Sequence, residues 1–112
     1  MTTTTMSVDG VKAIVDVLEV PELTTLITKW HHDRNLVEGS TDKDQLAKLI
    51  QEVGELSDSL CKGESPIDDI GDCIVVLLNI AERHDLSLKE CMAHAYKDIM
   101  HRTGRMVDGV FV

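Results

Sequence analysis

From Pro21 onward, apolar residues recur every three or four positions, which is the spacing of helices that turn one face to a core. A first helix is predicted over about residues 22–33, with Leu23, Ile27 and Trp30 on its apolar face. Pro21 suits the opening turn, where no backbone N–H is needed. The pattern therefore predicts helical structure from Pro21, where a clear periodicity begins.

A second helix is predicted to begin within Ser40–Asp44 and to end near Cys61. The hydroxyls of this segment can cap a helix, and its acids complement the positive end of the helix dipole. The residues of its apolar face are Leu46, Leu49, Ile50, Val53, Leu56 and Leu60.

The third helix is predicted to open at Ser65-Pro66 and to run to about Arg83 or His84. Between Ile70 and Ala81 it is apolar on almost every side, and a helix of that kind is buried all round. Three other short helices can hardly surround it. We therefore expect a second subunit to cover the remaining face, in an obligate homo-oligomer that is a dimer or a tetramer.

A fourth helix is predicted from Leu88 to about Thr103 or Gly104, because Ser87 and Glu90 have the spacing of a capping box. Its predicted buried face consists of Leu88, Met92, Ala95, Tyr96 and Ile99. We expect an irregular or docked tail from residue 105, disorder over residues 1–7, and no clear element over residues 8–20. The predicted fold is all-α, a four-helix-bundle-like subunit over residues 21–112 behind an N-terminal extension of residues 1–20.

Composition narrows the classes of function. The 112 residues carry a formal net charge of −9, which disfavours nucleic-acid binding through phosphate neutralisation. Three cysteines without a CxxC pair are typical of reduced thiols. No apolar stretch is long enough to cross a membrane, and the polar start lacks a signal core. We expect a cytoplasmic protein that binds neither nucleic acid nor membrane.

Four acidic residues are arranged symmetrically about the turn between the second and third helices. Glu52 and Glu55 share one flank of their helix, and Asp69 and Asp72 repeat the same spacing on the next. An antiparallel hairpin closing near residue 62 would place Glu55 opposite Asp69 and Glu52 opposite Asp72. On spacing alone these carboxylates are either solvated surface acids or the ligands of one metal ion.

Converging carboxylates raise one another's pKa and disfavour folding unless a cation compensates them. Mg²⁺ takes oxygen ligands and retains waters that phosphate oxygens can replace, whereas zinc and copper sites use other donors. The metal-site hypothesis is therefore specifically one of magnesium, for which Mn²⁺ could substitute.

The segment from Lys48 to Leu56, followed by Asp68 to Asp72, resembles the MazG-like family of all-α nucleoside triphosphate pyrophosphohydrolases. These enzymes are relatives of the dimeric all-α dUTPases and of phosphoribosyl-ATP pyrophosphohydrolase. The resemblance extends over most of the chain from about Leu23 to Arg105. Segments around Trp30 and Gly104 look like the small phage-encoded members.

The family pattern is Glu-x-x-Glu followed by Glu-x-x-Asp. This sequence departs from it at Asp69, where the shorter side chain would reach a metal directly or through water, or Asp68 would contribute instead. A common double Glu also reads Gln51-Glu52 here. The resemblance implies that this chain converts a nucleoside triphosphate to the monophosphate and pyrophosphate.

Under this reading Glu52, Glu55, Asp69 and Asp72 hold the cation, and Glu52 is the preferred general base, with Glu55 as the other candidate. Trp30 is either a core residue or a stacking partner for the base.

Polar and basic residues complete the predicted substrate site. Asn79 lies among apolar residues, where an amide without a hydrogen-bond partner is costly. Its partner is therefore either another core group or the sugar or phosphate of the substrate. Lys48 either pairs with a glutamate one turn away or contacts phosphate. Lys97, Arg102 and Arg105 are the one basic cluster, and they either complement a helix end or bind the triphosphate.

Two other classes compete with this hypothesis. A di-iron carboxylate bundle needs repeated Glu-x-x-His motifs, and the single pair Glu90 and His94 is spaced by four. A non-catalytic helical oligomerisation or regulatory module with the same fold is the second alternative, because fold alone does not establish activity. Release of pyrophosphate would separate this module from the enzyme.

Overall fold

The computed structural model describes residues 3–112, and their side chains from residue 10 onward. The chain is mostly helical, which confirms the all-α prediction. The helices are α1 (Thr3–Val17), α2 (Val20–Asp33), α3 (Asp42–Cys61), α4 (Ile67–Arg83) and α5 (Leu88–Ile99). Strands β1 (Met106–Val107) and β2 (Val110–Phe111) pair antiparallel near the carboxyl end.

The starts of α3 and α5 follow the capping signals of the sequence, whereas α4 begins at Ile67 with Pro66 as its N-cap instead of the predicted Ser65. Thr41 accepts a hydrogen bond from the Asp44 amide at the start of α3. Ser87 and Glu90 form the predicted capping box of α5. Glu19 and Glu22 form a second box, and α2 therefore begins two residues earlier than predicted. Local cap chemistry thus fixes where these helices begin.

Two predictions near the carboxyl end are wrong. Helix α5 ends at Ile99 instead of residue 103 or 104. The tail is a hairpin, closed by two backbone hydrogen bonds of 3.0 and 2.8 Å between Arg105 and Val112. The hairpin turn uses Asp108 and Gly109 at positive φ, a conformation that glycine adopts without a steric cost.

The N-terminal extension also differs from the prediction. Disorder was expected over residues 1–7, but α1 begins at Thr3, while Met1 and Thr2 lie outside the described residues. No clear element was predicted over residues 8–20, because their apolar residues also alternate weakly. Val11, Ile14, Val15 and Leu18 nevertheless have helical spacing.

The core lies where α2, α3 and α4 pack together. A buried polar network joins α2 to α4: the Asn79 side-chain nitrogen donates to the Leu36 carbonyl at 2.9 Å and lies 3.2 Å from His31 Nδ1. His31 Nε2 lies 2.9 Å from the Val75 carbonyl. A carbonyl can only accept, so the imidazole proton is on Nε2 and Nδ1 accepts from Asn79.

Arg83, the last residue of α4, bonds to the start of α3 and to the segment before it. Its guanidinium donates to the Ser40 carbonyl at 2.8 Å, to an Asp42 carboxylate oxygen at 2.9 Å, and to the Val37 carbonyl. The side chain at the end of α4 therefore holds both the connection before α3 and the first turn of α3.

The single chain leaves much of its apolar surface open. The predicted buried face of α5 is exposed, with Met92 at 61% and Tyr96 at 63%. On α3, Ile50 and Val53 are exposed by 63% and 50%. No helix within residues 3–112 is long and apolar enough to cross a membrane.

Candidate metal centre

The site lies on the hairpin formed by α3 and α4. The turn after α3 is built around Gly63, whose φ of +70° lies in the left-handed region. The Gly63 and Glu64 amides donate to the carbonyls of Leu60 and Ser59, which ends α3 in a Schellman motif. The short connection makes α4 run antiparallel to α3, as the sequence predicted.

Three carboxylates converge on one flank of this hairpin. Glu52, Glu55 and Asp72 each offer an oxygen, and the three oxygens all lie within 4.8 Å of one another. Glu52 and Glu55 come from adjacent turns of α3, and Asp72 reaches them from α4. The structure therefore brings Glu52 opposite Asp72, as the hairpin geometry predicted.

Glu52 is the buried member of the group, with a relative exposure of 6%. One of its oxygens lies 3.1 Å from the Lys48 ammonium one turn earlier on α3. The other oxygen is buried without a hydrogen-bond partner in the protein. An unpaired buried carboxylate oxygen is costly, so this atom calls for a cationic or hydrogen-bonding ligand.

The electrostatics of the three groups differ. A hydrogen bond that Glu55 can donate only in its protonated form, together with Lys48, holds the pKa of Glu52 below its ordinary value. The same hydrogen bond and the negative charge of Glu52 raise the pKa of Glu55. Burial, followed by the charge of Glu52, raises the pKa of Asp72. Without a cation, the fold therefore opposes full ionisation of the group.

Asp69 lies one turn before Asp72 on α4 and is not part of the converging group. Its charge still acts on the site, because it adds to the raised pKa of Asp72 and of the neighbouring Cys73 thiol. Direct ligation by Asp69 stays a prediction, as does a contribution through water or from Asp68.

An apolar groove of 470 Å³ begins at the carboxylates. It lies between α2 and α4, and its lining residues are Leu23, Leu26, Ile27, Trp30, Asp72 and Val75. Trp30 is 44% exposed, and the Arg34 guanidinium lies 4.4 Å from the centre of one of its rings. Asp72 belongs both to this groove and to the acidic group, so a molecule in the groove would lie beside any bound cation.

Asn79 has no exposed surface in this conformation. Its nitrogen serves the contact between α2 and α4, while its side-chain oxygen is buried without a partner. The observed role is the core amide that the sequence offered as one alternative. Contact with sugar or phosphate stays a prediction and would require this buried side chain to become accessible.

The predicted basic cluster lies outside the hairpin that holds the carboxylates. Lys97 is on the last turn of α5, and Arg102 and Arg105 follow that helix, all three exposed. Within the described part of the chain, no ion pair joins them to Glu52, Glu55 or Asp72. Their role in binding phosphate stays a prediction.

Sequence reasoning did not identify the groove or the buried role of His31, although it singled out Leu23, Ile27, Trp30 and Asp72 of the groove wall. His31 is 3% exposed and bonds to the carbonyl of Val75, a residue of the groove wall. Its neighbour His32 faces outward instead and lies 2.6 Å from Glu82. The helical spacing of Leu23, Ile27 and Trp30 carried the signal for a groove, but a core face shows the same spacing.

Comparisons with known proteins identify one relative of unknown role. No protein-family model matches the chain, and no solved structure matches it. Over 70 residues the chain is 39% identical to an uncharacterized 18.2 kDa protein from the rep-hol intergenic region of Haemophilus phage HP1 (strain HP1c1). The match covers 61% of this chain but only 43% of the relative, which is compatible with a phage origin and carries no activity with it.

Proposed function

We propose that this protein is a Mg²⁺-dependent nucleoside triphosphate pyrophosphohydrolase that converts a (deoxy)nucleoside triphosphate to the monophosphate and pyrophosphate. The observation that carries the proposal is the convergence of Glu52, Glu55 and Asp72 within 4.8 Å of one another beside an apolar groove. The resemblance of the same segments to the MazG-like family supports it.

The donor set fits the proposed ion. All three groups are carboxylates, which suit Mg²⁺ and also Mn²⁺. One oxygen of Glu52 has no partner, and the pKa values of Glu55 and Asp72 are raised. Both observations indicate that the protein does not fully compensate the negative charge of these carboxylates. When bound, the ion would neutralise phosphate oxygens and lower the pKa of a water ligand.

In this proposal Glu55, Asp72 and the more distant Asp69 act chiefly as ligands. Glu52 is the proposed general base that takes the proton of the attacking water, and Glu55 is the alternative. Hydrolysis would break the anhydride bond between the α- and β-phosphates, with the water oxygen joining the α-phosphorus. The leaving group is pyrophosphate.

The groove between α2 and α4 is the proposed site of the nucleoside. Trp30 is half exposed at its wall and can stack on a base, and Lys48 lies beside the carboxylates where it can reach phosphate. Lys97, Arg102 and Arg105 are proposed phosphate contacts. A second subunit could supply them, because within the described residues none of the three forms an ion pair with the carboxylates of its own chain.

We also propose that the active form is a homo-oligomer of bundle-like subunits. The α4 residues Ile67, Ile70, Ile74 and Leu77 form an exposed stripe at helical spacing. Their exposures are 71%, 47%, 39% and 42%. A second copy covering this stripe would complete the burial that the sequence of α4 predicts, and either a dimer or a tetramer would do so.

The decisive experiment measures pyrophosphate release from a panel of nucleoside and deoxynucleoside triphosphates with Mg²⁺. We expect turnover in the native protein and its loss in Glu55→Ala and Asp72→Ala. The matched control is Asp58→Ala, which removes an exposed carboxylate of α3 that pairs only with Lys62. Circular dichroism should show equal helix content in all of these proteins.

Near-native turnover in Glu55→Ala or Asp72→Ala would contradict the assignment of the site. No pyrophosphate from any triphosphate would instead favour the non-catalytic oligomerisation or regulatory module. Comparing Glu52→Gln with Glu55→Gln separates the two base candidates, since the base should lose much more kcat for the same loss of Mg²⁺ affinity.

A further inference from the structure

Helix α1 carries an apolar stripe that nothing else in the described chain covers. Val11, Ile14 and Val15 share one side of the helix and are exposed by 54%, 45% and 67%. Lys12 and Asp16 lie away from the stripe and form an ion pair of 2.8 Å. A helix of 15 residues is marginal in water without tertiary packing, so this stripe requires a surface to pack against.

An apolar groove of 540 Å³ lies between the start of α2 and α5. Val20 and Pro21 form one wall, and Leu88, Met92 and Tyr96 form the other. It is distinct from the groove beside Trp30 and shares no residue with it. Its open, mainly aliphatic lining has the chemistry that matches the stripe on α1.

In this structure α1 does not fill the groove of its own chain, because its stripe is exposed and none of its described residues lines the groove. The Leu18 amide still donates to the Ile14 carbonyl at 2.8 Å, so the helical bonding extends through residue 18. Glu19, in an extended conformation, is already the N-cap of α2. Only Leu18 and Glu19 separate the two helices, which is the shortest loop on which helices fold back on each other.

We propose that α1 is an arm exchanged between two copies of this chain, and that its stripe seats in the α2–α5 groove of the other copy. Exchange of an identical element is a low-cost route to a dimer. It is independent of nucleotide hydrolysis and uses a different surface from the exposed stripe of α4.

The surface area of the chain supports a second copy as the occupant. The accessible surface is 8769 Å², whereas a compact monomer of this mass exposes about 6,100 Å². The excess is about 2,600 Å², and a stable interface takes about 800 Å² from each partner. The open surface is therefore large enough for an exchanged arm in addition to contact through α4.

The test uses disulfide formation between two distinguishable copies of the full chain. One copy carries Ile14→Cys and the other carries Met92→Cys, and the exposed Cys61 and Cys91 are replaced by serine in both. The copies differ by a short tag so that a mixed product is identified by mass. The matched control replaces Ile14→Cys with Ala13→Cys, which lies on the opposite side of α1.

We expect a reducible mixed dimer from the Ile14 and Met92 pair and its loss in the Ala13 control. A single chain that carries both Ile14→Cys and Met92→Cys should also form linked dimers. An internal disulfide in a monomer would overturn the exchange. Absence of any link, in variants whose circular dichroism matches the native protein, would overturn it as well. Pyrophosphate release is measured separately, so the arm and the activity can fail independently.

Discussion

At the scale of single residues, the candidate site is defined by charges that the fold does not neutralise. Lys48 compensates one oxygen of Glu52, and the other is buried without a partner. The raised pKa values of Glu55 and Asp72 mean that their charged forms destabilise the folded protein near neutral pH. A bound divalent cation would remove the repulsion between these charges and would therefore stabilise the folded protein.

Glu55→Gln should therefore have opposite effects on stability without and with Mg²⁺. Without the ion, the variant should melt at a higher temperature than the native protein, because one repelled charge is gone. With saturating Mg²⁺ the order should reverse, because the variant lacks a ligand. Thermal unfolding followed by circular dichroism measures both, with Asp58→Asn as the control. The same difference under both conditions would contradict a cation site at Glu55.

At the scale of elements, the sequence predicted what depends on local chemistry. The caps at Thr41 and Ser87 and the period of the apolar residues predicted where α3 and α5 begin, since neighbouring residues determine both. The pairing of Asn79 with His31 was not predicted, because it joins distant segments. The hairpin after α5 was also missed, although its Asp108-Gly109 turn is a local signal. The position of Glu52 opposite Asp72 followed from one short turn. The same geometry predicted Asp69 opposite Glu55, but Asp69 is not part of the converging group.

Two glycines of the α3–α4 hairpin should respond oppositely to alanine. Gly63 has φ of +70°, so Gly63→Ala should destabilise the fold by about 1–2 kcal/mol. Gly54 lies inside α3, and a Cβ there meets nothing within 4 Å. Gly54→Ala should therefore stabilise the fold by about 0.5–1 kcal/mol. Urea unfolding measures both changes, and shifts in the same direction would refute this account of the turn.

At the scale of the whole molecule, the single chain is too open for its size. Its radius of gyration is 16.7 Å, against about 13 Å for a compact domain of this length. The open surfaces include the stripe of α4 and the face of α5, both of which the sequence predicts to be buried. Partner copies would reconcile the sequence pattern with the exposure of these helices.

The stability of the protein should consequently depend on its concentration. Association favours the folded state by mass action, so the melting temperature should rise as the protein is concentrated. Sedimentation should show a species heavier than 12.4 kDa at micromolar concentration. The variant Ile74→Asp should weaken association, while Lys43→Asp on the exposed start of α3 serves as the control. A stable monomer with a constant melting temperature would exclude the oligomer.

Trp30 gives the groove beside the carboxylates an optical property of its own. It is the sole tryptophan of the chain, it is half exposed, and the Arg34 guanidinium stacks over its indole. The intrinsic tryptophan fluorescence of the protein therefore arises from this one wall. Any molecule that enters the groove displaces water from the indole or disturbs the stacked cation, so occupancy can be followed by emission without a label.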